Sequence, residues 1–188
     1  MSDIILELPF NQVKNDCYKV VQDIFNINLH DHDIIFRLNQ DQSWFDLPNE
    51  INLRCGDYAT NPDIILIWHE LGHYVHSLVE DLEQVNPLYI EYLPTVFEEL
   101  CISFYEMKCE EYREYELKRL IALSLVDLAL VDMKEVRQEE FYSLIEDVQN
   151  TVGINLTVDM LEVLCNTRYS GSYMGYVLCR KIVVDLNI

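Results

Sequence analysis

The sequence predicts a mainly α-helical, α+β fold in which a small β-sheet precedes the helix with the most distinctive motif. Apolar residues recur at helical spacing through most of the second half of the chain. Short stretches with strand character occupy the region from about residue 33 to residue 55. With 188 residues, half of them apolar and only five Gly and five Pro, the chain is predicted to be one domain, residues 1–188.

The first predicted elements are a helix and two strands. Apolar residues at helical spacing predict an amphipathic helix over about residues 10–27, and Ile34-Ile35-Phe36 predicts a short strand. A polar turn follows at residues 39–43. Residues 50–55 then alternate between apolar and polar side chains, which is the period of a half-buried strand. This second strand is the candidate for an exposed sheet edge, where an extended peptide can add by main-chain hydrogen bonds, and an ordinary hairpin strand is the equal alternative.

The next element is a helix whose start is predicted by residues 60–63. Thr60 or Asn61 can cap it, Pro62 suits the first turn, and Asp63 suits the positive end of the helix dipole. The apolar run at 64–68 predicts that the helix is buried, and it is expected to end at about Glu80. A second long helix is predicted from Pro94 to about Glu114. Further helices are expected at about 116–132, 134–149, 157–166 and 172–186.

The first of these two long helices carries His69-Glu70-Leu71-Gly72-His73, which reads H-E-x-x-H. Histidines four apart on a helix lie on one face, so their imidazoles can bind one zinc ion. Glu70 lies beside them and can accept a proton from metal-bound water. The sequence therefore predicts His69 and His73 as metal ligands and Glu70 as the catalytic base of a metallopeptidase.

The third metal ligand is predicted to be a carboxylate. The metzincin pattern is excluded because His76 and Val79 occupy its glycine and histidine positions, and the chain has no histidine after His76. Glu80 and Glu83 lie too near the helix that carries His69 and His73 to turn back to its metal-binding face. Glu91 precedes Pro94 and is expected to lie outside the second long helix. Glu98 and Glu99 remain; Glu106 lies seven residues after Glu99 and can support a ligating histidine. We choose Glu99, with Glu98 in reserve, and expect His76 to be a packing residue or an outer-shell partner of the metal site.

These residues resemble the thimet oligopeptidase and oligoendopeptidase F family of gluzincin zinc peptidases. Residues 69–76 are similar to its H-E-x-G-H-x-x-H motif, and residues 94–106 are similar to its second helix. The resemblance implies a zincin-like catalytic core, one Zn²⁺ per chain, Glu99 as ligand and Glu106 as its support. The family's serine three residues after the ligand is here replaced by Ile102. Relatives are several times longer, so their restriction to short peptides is not carried over.

The resemblance extends to a tyrosine- and glycine-rich segment at residues 168–176. In the family, tyrosines there bind substrate and stabilise the oxyanion, which a phenol can do by donating a hydrogen bond. Tyr173 and Tyr176 are the predicted oxyanion residues, with Tyr169 as the alternative. These tyrosines are equally compatible with a packing role, and the histidine that relatives place near this segment is absent.

Charge and cysteine content limit the possible partners and the cellular compartment. The formal net charge is −20, and no basic stripe is available to neutralise phosphates, so nucleic acids and anionic membranes are not expected as partners. The six cysteines form no C-x-x-C pair, and the chain lacks a recognisable signal peptide, which together predict a reducing cytoplasmic location. A peptide or protein substrate is expected. The oligomeric state is left open.

Two other functions are compatible with the same motif. A non-catalytic, zinc-containing binding or regulatory module would hold the ion without turning over any peptide. A regulatory or toxin–antitoxin-type protease would share the chemistry and act on one protein partner. The intact Glu70 favours catalysis, because a structural zinc site has no use for a base at that position.

Overall fold

The computed structural model describes residues 6–81, 85–86, 89–132, 138–157, 175 and 177–181. The helices are α1 (Phe10–Phe25), α2 (Asn61–Val79), α3 (Tyr92–Phe104), α4 (Glu110–Asp132) and α5 (Gln138–Val152), with a 3₁₀ turn at Leu29–Asp31. The strands are β1 (Glu7–Pro9), β2 (Ile35–Arg37), β3 (Trp44–Asp46), β4 (Glu50–Asn52) and β5 (Tyr58–Thr60). The predicted mainly α-helical, α+β class is confirmed.

The strands form two small sheets. β1 pairs with β5 in antiparallel orientation, directly before α2. The other sheet has the order β2-β4-β3, with β4 parallel to β2 and antiparallel to β3. The prediction that residues 50–55 form the exposed sheet edge was wrong, because Glu50–Asn52 is the middle strand of this sheet. The alternation of side chains identifies a strand, but its position in a sheet depends on pairing with distant residues.

Helix α2 begins where the sequence predicts. Thr60 and Asp63 form a capping box, in which the side chain of each residue accepts a hydrogen bond from the backbone N–H of the other. Pro62 occupies the first turn. Arg54 adds an ion pair to Asp63 at 3.3 Å. The helix is buried along most of its length, including Ile64, Ile67 and Trp68. Helix α2 therefore forms the centre of the hydrophobic core in the first half of the chain.

The predicted helix from Pro94 to Glu114 is two separate helices. α3 ends at Phe104, and the backbone N–H of Met107 bonds to the carbonyl oxygen of Ile102. Glu106 follows in the left-handed conformation with φ of 50°, which an α-helix does not accommodate. A new helix, α4, starts at Glu110. The predicted helices at 116–132 and 134–149 correspond to α4 and α5, whereas most of 157–166 and 172–186 lies outside the described residues.

The chain divides into two compact units. The first contains residues up to 85 and 93–108, and its core is built around α1 and α2. The second is built on α4 and α5, whose apolar contact includes Ala122, Val126 and Val148. Compact units of this kind also occur within single domains, so the prediction of one domain stays a prediction. Within the described residues, no helix is long and apolar enough to cross a membrane.

Candidate metal centre

His69 and His73 project from consecutive turns of α2. Their ring centroids are 4.9 Å apart, and the ring planes are inclined by 81°. His69 is buried, and His73 is half-buried. Two imidazoles so close together, on a helix whose other faces are packed, can hold one ion without a large rearrangement.

Glu98 of α3 fixes the orientation of His69. Its Oε1 lies 2.7 Å from Nδ1 of His69, and both side chains are more than nine-tenths buried. A carboxylate that accepts this bond places the proton of the neutral imidazole on Nδ1 and leaves the Nε2 lone pair for a metal. This is the arrangement by which outer-shell carboxylates orient metal-binding histidines.

Gly72 allows α3 to approach α2 closely at this level. A Cβ atom built on Gly72 would lie 2.7 Å from the Cα of Pro94 and 3.2 Å from the Cβ of Phe97. Contacts under 3.0 Å between such atoms are not tolerated, so only glycine fits here. The glycine inside the H-E-x-x-H motif thus lets the helix carrying Glu98 come within hydrogen-bonding distance of His69.

Aromatic packing surrounds His73 on the side of the sheet. The ring of Phe45, on β3, is parallel to the imidazole of His73 within 6° at a centroid distance of 6.3 Å. Phe45 also contacts Tyr74 edge-on at 6.1 Å. The hydroxyl of Tyr74 lies 3.2 Å from Nδ1 of His32, and burial, followed by the charge of Asp33, raises the pKa of Tyr74. The sheet is therefore joined to α2 next to the second predicted ligand.

A catalytic zinc site adds a third protein ligand to two imidazoles, and a carboxylate is one such ligand. Glu98, whose Oε1 bonds to Nδ1 of His69, is an acidic side chain of α3 that contacts these histidines.

The other predicted carboxylates occupy different positions. Glu99 is buried on α3. Glu106 lies beyond the end of α3, so it does not share a helical face with Glu99 as the sequence suggested. His76 is buried on α2, with Nε2 3.5 Å from Oε2 of Glu80. The role of Glu106 as a support for a metal ligand stays a prediction.

Glu70 is buried on α2 between the two histidines in sequence, with 4% of its surface exposed. Tyr169, Tyr173 and Tyr176 lie outside the described residues, and nothing in the structure bears on their predicted role. The base and the histidines are therefore the part of the predicted catalytic set that the structure brings together.

The bond of Glu98 to His69 and the contact of Phe45 with His73 were not predicted from the sequence. No local pattern pointed to Phe45, because its contact with His73 depends on how the sheet packs on α2.

No protein-family model, curated protein or solved structure matches this chain. The resemblance to the oligopeptidase family therefore rests on the motifs alone.

Proposed function

We propose that this chain is a zinc-dependent metallopeptidase that hydrolyses peptide bonds. The observation that carries the proposal is the pairing of His69 and His73 on consecutive turns of α2, with the Nδ1 atom of His69 bonded to the buried carboxylate of Glu98. An imidazole fixed in this way presents Nε2 as a metal donor. A histidine that serves only for packing in a helix does not require a second histidine four residues away.

Zinc is the ion that these donors favour. Two imidazoles and a carboxylate suit Zn²⁺, which takes three protein ligands in catalytic sites and keeps one position open. When bound, the ion would lower the pKa of water and polarise the carbonyl group of the substrate. One ion per chain is expected.

The third ligand is proposed to be a glutamate at or near α3. The motif resemblance supports Glu99. The buried carboxylate of Glu98 on the same helix, which contacts His69, is the alternative. Replacing each by glutamine distinguishes them, because loss of the ligand should weaken zinc binding far more than loss of a neighbouring carboxylate.

Glu70 is proposed as the general base. Its position in the motif places it next to both histidines on a helix that is held by packing, and it is shielded from bulk solvent. It would take a proton from the attacking water and pass it to the leaving amine. A tyrosine of the 168–176 segment, Tyr173 or Tyr176, is proposed to donate a hydrogen bond to the developing oxyanion.

The substrate is proposed to be an extended peptide segment. β3 lies at one edge of the three-stranded sheet, and its Phe45 contacts His73, so a peptide paired with this edge would run past the histidines. The net charge of −20 favours neutral or cationic peptides over acidic ones. The peptide is therefore proposed to pair with β3 and not with residues 50–55, because those residues supply the middle strand.

The proposed compartment is the cytoplasm. Five cysteines within the described residues are buried and form no disulfide, which suits a reducing environment. The charge gives no support for a nucleic-acid or membrane partner, and none is proposed.

The test is hydrolysis of a mixed peptide library by the full chain with Glu70→Gln as the variant. The glutamine keeps the size of the side chain but cannot accept the proton, so turnover should fall at least a hundredfold. Zinc content should stay near one ion per chain. The exposed Glu139 of α5 provides the matched control, and Glu139→Gln should retain full activity. A chelator should abolish turnover by the wild-type chain.

The outcomes separate the proposal from its rivals. Stoichiometric zinc with no turnover of any peptide would identify a non-catalytic binding module, and turnover of one protein partner only would identify a dedicated regulatory protease. Hydrolysis that survives Glu70→Gln would exclude Glu70 as the base.

A further inference from the structure

His69 and His73 contact different side chains outside α2. His69 has a charged hydrogen bond from Nδ1 to Glu98. His73 has a parallel aromatic ring, that of Phe45, stacked at a centroid distance of 6.3 Å. The offset parallel geometry is one that aromatic rings prefer, and the stacked ring restricts the rotation of the imidazole about its own axis. The two predicted ligands thus each contact a side chain of a different element, Glu98 of α3 for His69 and Phe45 of β3 for His73.

Phe45 is itself held firmly. Its backbone is paired with that of Ile51, which is fully buried in the middle strand. Its ring meets Tyr74 edge-on at 6.1 Å, and the hydroxyl of Tyr74 is 3.2 Å from Nδ1 of His32. A side chain held by its strand and by a neighbouring ring can restrict the imidazole next to it.

We infer that Phe45 is a positioning residue for His73, so that the sheet edge β3 sets the zinc affinity of α2. The inference rests on the proposed metal site and extends it to a residue outside the motif. Metal ligands must be held within a fraction of an ångström of their bound positions, and loss of a neighbour that orients a ligand typically weakens metal binding by about 10- to 100-fold. Phe45 does not touch the reacting atoms, and its effect passes through His73.

The test is the zinc affinity of the full chain, measured by competition with a chromophoric chelator. Phe45→Leu and Phe45→Ala remove the stacked ring and should weaken zinc binding by about tenfold or more. Phe45→Tyr keeps the ring and should bind within about twofold of the wild type. The matched control is Trp44→Leu on the same strand: Trp44 is partly exposed and bonds to Asp46, and its loss should leave zinc affinity unchanged.

A second measurement separates positioning from a general loss of stability. In the Co²⁺-loaded protein, the visible ligand-field spectrum reports the geometry of the ligands. Phe45→Leu should change the intensity or position of its bands, whereas Trp44→Leu and Phe45→Tyr should not. This comparison also serves if Phe45→Ala does not fold.

Two results would overturn the inference. One is a Phe45→Leu protein with wild-type zinc affinity and a wild-type cobalt spectrum; the other is a Phe45→Tyr protein as impaired as Phe45→Ala. A wild-type chain that binds no zinc would instead remove the proposed function on which the inference rests.

Discussion

Gly72 lies so close to Pro94 that a Cβ atom built on the glycine would be 2.7 Å from the Cα of the proline. The contact joins α2 to α3 at the level of the two histidines. Since the neighbouring atom belongs to the backbone, the clash cannot be relieved by a side-chain rotation. The glycine of the H-E-x-x-H motif is therefore explained by helix packing.

Gly72→Ala should lower the free energy of unfolding by about 1–3 kcal/mol, as overpacked cores do, even though alanine favours a helix by about 1 kcal/mol. Urea unfolding measures the change. Gly56→Ala is the matched control: the nearest atom to its Cβ is Oδ1 of Asn39, the end of a side chain that can move. We expect the Gly56 variant to lose less stability. Equal losses in the two variants would show that the approach of α3 is not the constraint.

Glu98→Ala should reduce zinc affinity by about 10- to 100-fold, because His69 loses the acceptor that fixes its orientation. The buried Nδ1–H is then left without its carboxylate, which should also cost about 1–3 kcal/mol of stability. Glu98→Gln keeps an oxygen that can accept the bond and should lose less of both. Chelator competition and urea unfolding measure the two effects. Unchanged zinc affinity in Glu98→Ala would remove Glu98 from the metal site.

Glu106→Gly should raise the free energy of unfolding by about 1 kcal/mol, because glycine adopts the left-handed conformation without the steric cost that glutamate bears at φ of 50°. Glu106→Ala keeps that cost and should show no such gain. Zinc content should be unaffected in both variants. A large loss of zinc on either substitution would instead support the sequence-based prediction that Glu106 orients a metal ligand.

Stability should fall as the pH rises above about 9, in part because of Cys55. Burial is the main cause that raises the pKa of this thiol from 9.0 to about 11. Between these values the unfolded chain releases the proton while the folded chain retains it, so the contribution is complete below pH 9 and lost by about pH 11. Urea unfolding of the wild type and of Cys55→Ala at several pH values between about 9 and 11 measures this loss of unfolding free energy. The variant should show a shallower decline, and identical slopes would contradict the assignment.

The sequence was most informative where structure is local. The start of α2 was predictable because Thr60, Pro62 and Asp63 act within a single turn. The same locality identified the H-E-x-x-H pair, since residues four apart on a helix must share a face. The break between α3 and α4 was not predicted, because residues 105–109 contain neither Gly nor Pro and the left-handed residue is a glutamate.

The remaining parts of the site depend on contacts between distant segments. Glu98 bonds to a histidine 29 residues earlier, and Phe45 stacks on a histidine of another element. Which of Glu98 and Glu99 faces His69 depends on the rotation of α3 about its axis, and an almost uniformly apolar helix does not reveal that rotation. The order of the strands likewise came from pairing, and the periodicity of residues 50–55 carries no information on it.

Metal content tests the central claim most directly. The wild-type chain and the double variant His69→Gln/His73→Gln should be purified without chelator, dialysed against micromolar zinc and then metal-free buffer, and analysed by mass spectrometry of elements. We predict close to one zinc per chain in the wild type and almost none in the double variant, with both proteins folded. A wild-type chain without metal, or a folded double variant that retains it, would contradict the account.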